Sequence, residues 1–155
     1  MDPAPRHFPD TGKLIPASAA GAILWTADGR YLMQLRDDAP GIFYPGHVGF
    51  FGGAVEEGES LAECAVRELR EETSLDLSGR LSCFSELTLD FRPFGRGFVT
   101  RACFEGELSV HEPAQVRLSE GVRCELVPGD VLLRERRVIP YDAFVLWQHW
   151  VVRFG

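Results

Sequence analysis

Between Gly53 and Leu75 the chain reads GAVEEGESLAECAVRELREETSL, a glycine turn that runs into a helix edged with carboxylates. Gly52, Gly53 and Gly58 suit the turn, because glycine adopts positive φ and tolerates close backbone approach that a Cβ resists. Ser60 is placed as an N-cap with Glu63 three residues on, the pairing that satisfies two orphaned N–H groups reciprocally. At ~100° per residue, Leu61, Ala62, Ala65, Val66 and Leu69 form one apolar stripe, with Glu68, Glu71 and Glu72 along its edge. The helix is expected to pack on one side and to offer three acids on another.

Carboxylates three and four residues apart repel, each pair destabilising a helix by tenths of a kcal/mol. Arg67, four residues before Glu71, offsets part of this, but one guanidinium does not balance three acids. A hard divalent cation does: Mg²⁺ and Mn²⁺ prefer carboxylate oxygens, and Mg²⁺ commonly bridges to substrate phosphates. A solvated acidic face is the alternative for any Glu-rich helix. The glycine turn in front favours a site.

Taken together, Gly53, then Glu59, then Arg67-Glu68-Leu69, Glu71-Glu72 and the aliphatic Leu75 closely resemble the Nudix box of the Nudix hydrolases. At roughly one in twelve per specified residue, six such matches arise by chance in about one chain of this length in ten thousand. Ser74 departs from the pattern, standing where the family usually has a glycine; that position reads as a left-handed C-cap, where a side chain costs about 1 kcal/mol and removes no carboxylate.

The resemblance implies a mixed α/β fold, an α/β/α sandwich, and metal-dependent hydrolysis of a nucleoside diphosphate linked to another moiety. It implies that Glu68, Glu71 and Glu72 hold Mg²⁺ or Mn²⁺, with the Gly53 carbonyl in the shell and Glu59 supporting the loop or a second cation. Arg67 would orient the glutamates. The general base would be Glu71 or an acidic residue outside the box, for which Glu120 is the positional candidate. A nucleotide-sensing module and an isoprenoid diphosphate isomerase on the same fold are the rival readings.

The rest of the chain is consistent with one domain over residues 14–155, preceded by a Pro-rich arm at 1–13 that lacks the apolar run of a signal peptide or membrane anchor. The net charge of −7 argues against a surface for long nucleic acids, while leaving small anionic substrates open. Cys64, Cys83, Cys103 and Cys124 have no C-x-x-C spacing, so reduced thiols in a cytoplasmic protein are expected; Cys83 and Cys103 could face each other across a hairpin, which spacing alone leaves open. His7, His111 and His149 are isolated and read as solvated or structural. If the chain associates, a homodimer is the commonest form.

Strands are expected over Leu14 to Trp25 and Tyr31 to Leu35, joined at Asp28-Gly29, with a short one around His47 and Gly49 to Phe51. Leu81 to Phe91 and Phe98 to Leu108 read as a hairpin, Val122 to Val127 as a further strand, and Pro128 to Leu133 as a short helix. A final helix opens at Pro140, with Phe144, Val145, Trp147, Gln148 and Val151 as the stripe that packs on the sheet, and Trp147 and Trp150 as core or interface. Candidate substrate contacts are Arg36, Phe43 and Tyr44 around the first hairpin's exit, and Arg92, Phe94 and Arg96 in the second hairpin's tip. Each has an ordinary alternative: a surface ion pair for Arg36, core filling for the aromatics, an exposed turn for the tip.

Overall fold

Alternating side chains along the first strand, β1 (Ala19–Thr26), divide the core into two layers. The computed structural model describes residues 16–38, 44–119 and 122–155. Strands β2 (Arg30–Leu35), β3 (Val48–Gly49) and β4 (Phe51–Ala54) come next, followed by helix α1 (Leu61–Thr73). Strands β5 (Ser82–Asp90) and β6 (Phe98–Leu108) form a hairpin around a 3₁₀ turn at Arg92–Phe94. Helix α2 (Glu112–Gln115), strand β7 (Arg123–Pro128), helix α3 (Gly129–Glu135) and helix α4 (Pro140–Phe154) complete the order. The expected 1–13 arm lies outside the described residues.

All seven strands of the described residues join one mixed sheet. One edge of β1 runs parallel to β6 over its full length; the other pairs antiparallel with β4 near its start and with β2 near its end. β2 carries β3 and the whole of β7. The Asp28-Gly29 turn forms as expected, with Gly29 at φ 80° donating its N–H to the Thr26 carbonyl at 2.9 Å.

On one face, Ala20, Ala22 and Leu24 of β1 pack with Cys64, Ala65 and Leu69 of α1. On the other, Ile23 and Trp25 pack with Leu132 of α3 and Leu146 and Trp150 of α4. The result is the expected α/β/α sandwich. Leu69 and Leu146 are fully buried, one in each layer, and truncating either to alanine costs roughly 2–5 kcal/mol.

Two helix faces differ from the sequence reading. The buried side of α1 is Cys64, Ala65, Leu69 and Thr73, leaving Ala62 exposed, because the helix leans on β4 through Cys64 rather than through the small Ala62. In α4 the buried residues are Asp142, Leu146 and His149, while Phe144, Trp147 and Val151 face outward. The helix is turned so that two polar residues reach buried partners. Cys83 and Cys103 sit one register position apart on β5 and β6, opposite Phe104 and Ser85 respectively, and all four cysteines are free thiols. Among the described residues, no helix is long and apolar enough to cross a membrane.

Candidate active site

The box helix is locked at both ends. Ser60 Oγ accepts the Glu63 N–H at 3.2 Å while Glu63 accepts the Ser60 N–H at 2.8 Å, the reciprocal cap read from the sequence. At the other end Ser74 is left-handed, φ 61° and ψ 9°, and donates its N–H to Arg70 at 2.9 Å. Its hydroxyl donates to the Arg117 carbonyl at 3.1 Å. Arg117 and Ser119 in turn donate their N–H groups to the carbonyls of Thr73 and Glu72, at 3.0 and 3.1 Å. The last carbonyls of α1 are thereby satisfied by the segment that leads to residue 120.

Arg67 is the electrostatic centre of the site. Its guanidinium grips Glu59 with two bonds, 2.7 and 3.0 Å, and donates to Glu68 at 2.8 Å, to Glu71 at 3.3 Å and to the Ala54 carbonyl at 3.1 Å. The bonds from Arg67 hold the Glu59 carboxyl down at about 2, far below the usual carboxylate range, and Glu59 with Glu68 raises the Arg67 guanidinium in turn. The arginine thus gathers Glu59, Glu68 and Glu71 around the turn. Glu71 remains the most accessible of them, its side chain 61% exposed.

Glu72 is held differently. It points inward, accepting from the Gln34 amide at 2.9 Å and from the Gly52 N–H at 3.2 Å. Burial pushes its carboxyl up to about 7, against those two bonds and the pull of Arg36, and the nearby charge of Glu68 adds to the rise. Gly52 and Gly53 make this arrangement possible. Gly52 has φ 147°, and a Cβ there would overlap the Ala20 carbonyl; a Cβ on Gly53 would overlap the Glu68 carboxylate.

Among the described residues no three His, Cys, Asp or Glu side chains stand close enough to form a ready ligand cluster. Cys64 Sγ at the turn is engaged, donating to the Gly53 and Ala54 carbonyls, and the remaining donors there are of one chemical kind. Glu68, Glu71, Glu72 and the Gly53 carbonyl are all hard oxygens, Glu68 lies against the Gly53 backbone, and among the described residues the half-buried Glu72 carboxyl has no cationic partner that bonds it directly. This set fits Mg²⁺ or Mn²⁺ and would suit a softer metal poorly.

Beside Glu72 a cleft opens, lined by Gln34, Leu35, Arg36, Asp37, Gly52 and Val122. Asp37 pairs with Arg123 at 2.7 Å rather than with Arg36, and the buried Arg36 Nε finds no hydrogen-bond partner among the described residues. Arg36 shares the lining of this cleft with Gly52 and with Glu72 of the box. Tyr44 is not offered for stacking: it is buried, edge-on to His47 and Tyr141, so it fills space beneath its loop. Phe43 and Glu120 lie outside the described residues.

The second hairpin's tip is separate from this centre. Arg92 is engaged by Asp90 at 2.8 and 2.9 Å and lies over the Phe98 ring at 4.4 Å, while Phe94 is 76% exposed. No hydrogen bond, ion pair or ring contact among the described residues joins Arg92, Phe94 or Arg96 to α1 or β4. Gln34 is the residue that sequence reasoning missed. Its signal is a polar side chain after the apolar run YLM in RYLMQL, on the same face as the buried Leu32.

A family model described as NUDIX domain matches residues 15–148. Among solved structures, the fold is similar to a MutT protein from Methanosarcina mazei Go1, at 20% identity and TM-score 0.68, over 92% of this chain and 100% of that one. It is similar to the NUDIX domain of Shewanella oneidensis NrtR, solved with ADP ribose, at 20% identity and TM-score 0.66, over 90% and 89% of the two chains. It is also similar to the E. coli dihydroneopterin triphosphate pyrophosphohydrolase, at 19% identity and TM-score 0.64, over 90% and 99%.

Proposed function

The chain belongs to the NUDIX domain family of pyrophosphohydrolases, and on that premise we propose that residues 14–155 form a single catalytic domain that cleaves a phosphoanhydride bond in a nucleoside diphosphate linked to a further group. The observation that carries this reading is the juxtaposition of the Arg67-organised acids with a cleft that Arg36 lines together with Glu72 and Gly52. Acids alone would suit a cation; acids beside a cleft arginine suit a cation together with a phosphate chain.

Such hydrolysis requires a water aimed at phosphorus, a base, and positive charge against the phosphate oxygens. Mg²⁺ or Mn²⁺, when bound by Glu68, Glu71, Glu72 and the Gly53 carbonyl, supplies Lewis acidity and offsets phosphate charge. Arg67 keeps the glutamates aimed, with Glu59 bracing it from the turn. Gln34 and the Gly52 N–H hold Glu72, and Arg36 binds phosphate oxygens at the cleft. The base is Glu71, far more exposed than Glu59 or Glu68, or Glu120, whose neighbour Ser119 is bonded to the end of α1. Free thiols throughout agree with a reducing, cytoplasmic setting.

The similar structures carry ADP ribose in one case and are named for a pterin triphosphate in another, which supports substrates with a diphosphate or triphosphate linked to a ring system. The test is a screen with Mg²⁺ or Mn²⁺ against nucleoside triphosphates, nucleotide sugars, ADP-ribose, dinucleoside polyphosphates and NADH, reading phosphate and pyrophosphate release and the nucleotide products. Turnover of one class is expected, falling at least roughly 100-fold in folded Glu71→Gln and Glu72→Gln proteins. Metal-dependent nucleotide binding without product would favour the sensing reading; undiminished turnover in both variants would sink the site assignment.

A further inference from the structure

Helix α4 carries two apolar faces, and the sheet takes only one. Phe144, Trp147 and Val151 fall on its outer side at three- and four-residue spacings, with Val152 beside them. Strand β5 continues this surface. Arg101 and Cys103 of β6 point to the α4 side, the first bonded to Asp142 and the second in the α4 core. Leu87 is paired with Arg101 and Leu89 with Val99, so both leucines share that face. Phe84 of β5 and Trp147, Gln148, Val151 and Val152 of α4 line one groove between the two elements, and Phe144 and Trp147 lie ring to ring at 6.3 Å.

We infer that this face binds a second copy of the chain, giving a two-fold dimer. Its six large apolar residues, Leu87, Leu89, Phe144, Trp147, Val151 and Val152, are between 46% and 69% exposed, and together present about 600 Å² of apolar surface, at the upper end of what a monomer leaves to water. Where apolar area is about 65% of the total, as in homodimer interfaces, this corresponds to roughly 900 Å² per copy, the amount that a stable dimer buries. Charge selects the same partner. The chain carries −7 overall, so most of its surface repels its own copies, whereas these six residues are all uncharged, and the nearby Arg101, Glu105 and Arg153 are already committed to ion pairs within the chain. A two-fold contact brings the patch against itself with no like charges opposed. Strand β5 is also the last in its sheet, paired only with β6 among the described strands, and a dimer on this face shields its edge. Because α1 covers the opposite face of the sheet, the acid cluster stays open in the dimer.

The test is sedimentation velocity on the full-length protein from about 1 to 100 µM, beside Trp147→Glu, Leu87→Glu and, as a control on an exposed aromatic elsewhere, Phe94→Glu. The wild type and Phe94→Glu are expected at about twice the 17.3 kDa chain mass. Trp147→Glu and Leu87→Glu should raise the dissociation constant at least roughly 100-fold with unchanged circular dichroism and unchanged hydrolysis per site. Since both side chains already face water in the single chain, loss of the fold is not expected, and two variants guard against it in either one. A wild type that stays monomeric at 100 µM overturns the inference, whether residues 1–15 or a different protein then cover the face. So does a dimer that survives both charge substitutions, since another surface would then be joining the copies.

Discussion

At the scale of single residues, the adjacent glycines of the box do different work. A Cβ on Gly53 would meet the far end of Glu68, a flexible side chain that can swing aside. The backbone would survive, but the carboxylate would not stay where it is. Gly53→Ala should therefore leave stability within about 1 kcal/mol while lowering turnover roughly 10- to 100-fold, the usual consequence of moving a catalytic group by about an ångström. A Cβ on Gly52 would instead meet the backbone carbonyl of Ala20 on the neighbouring strand, at a φ of 147°. Neither can yield, so Gly52→Ala should cost about 2–4 kcal/mol in urea unfolding. The comparison is decisive when both variants are measured by both assays. Equal stability losses would mean that the two glycines serve the same structural purpose.

At the scale of elements, α1 depends on local signals, and those are what a sequence displays. The Ser60 and Glu63 cap, the left-handed Ser74 and the Arg67 to Glu71 spacing all lie within fifteen residues and all form. Ser60→Ala removes one of two reciprocal bonds and should cost about 1 kcal/mol, read as a lowered urea midpoint, while Mg²⁺-dependent turnover of the folded fraction is preserved. A loss of turnover without a shift in midpoint would show that Ser60 acts at the site and not at the helix end. Helix α4 was less legible for a physical reason. Both of its faces are apolar, so periodicity cannot say which one turns inward. What decides it is Asp142 and His149, whose partners Arg101, Glu105 and Tyr31 are 41, 44 and 118 residues away. Gln34 was hidden similarly, since its bond to Glu72 spans 38 residues. The acids and glycines of the candidate site could be read from the sequence; the Gln34 bond that holds Glu72 inward could not.

At the scale of the whole molecule, His149 ties α4 to the sheet through a buried relay. Tyr31 donates its hydroxyl to His149 Nδ1 at 2.7 Å, and the opposite nitrogen, Nε2, donates to Glu105 at 2.9 Å. This assignment satisfies both ring nitrogens with a neutral imidazole. Glu105 is also held by Arg153, and the two donors keep its carboxyl below the usual range despite its burial. Burial likewise lowers the His149 ring below its ordinary 6.5, outweighing the attraction of Glu105. The folded protein thus resists a proton that the unfolded chain accepts near pH 6.5. The contribution of His149 to stability is complete above that pH, declines as pH falls below it, and stops changing once pH passes beneath the lowered folded value. Glu72 runs the opposite way: its raised carboxyl lets the metal-free fold hold a proton that the unfolded chain releases, favouring the fold as pH falls from about 7. The two must be separated by difference. Urea unfolding of wild type and His149→Gln, without metal, between pH 7.5 and 5.5 makes that separation, because the Glu72 contribution is common to both. The variant should lose roughly 1–3 kcal/mol at pH 7.5, where Tyr31 and Glu105 are deprived of their partner. That deficit should shrink toward pH 5.5, because only the wild type has a histidine whose protonation favours unfolding. A deficit that stays constant or grows on acidification would mean that His149 is protonated within the fold, with Tyr31 no longer donating to it.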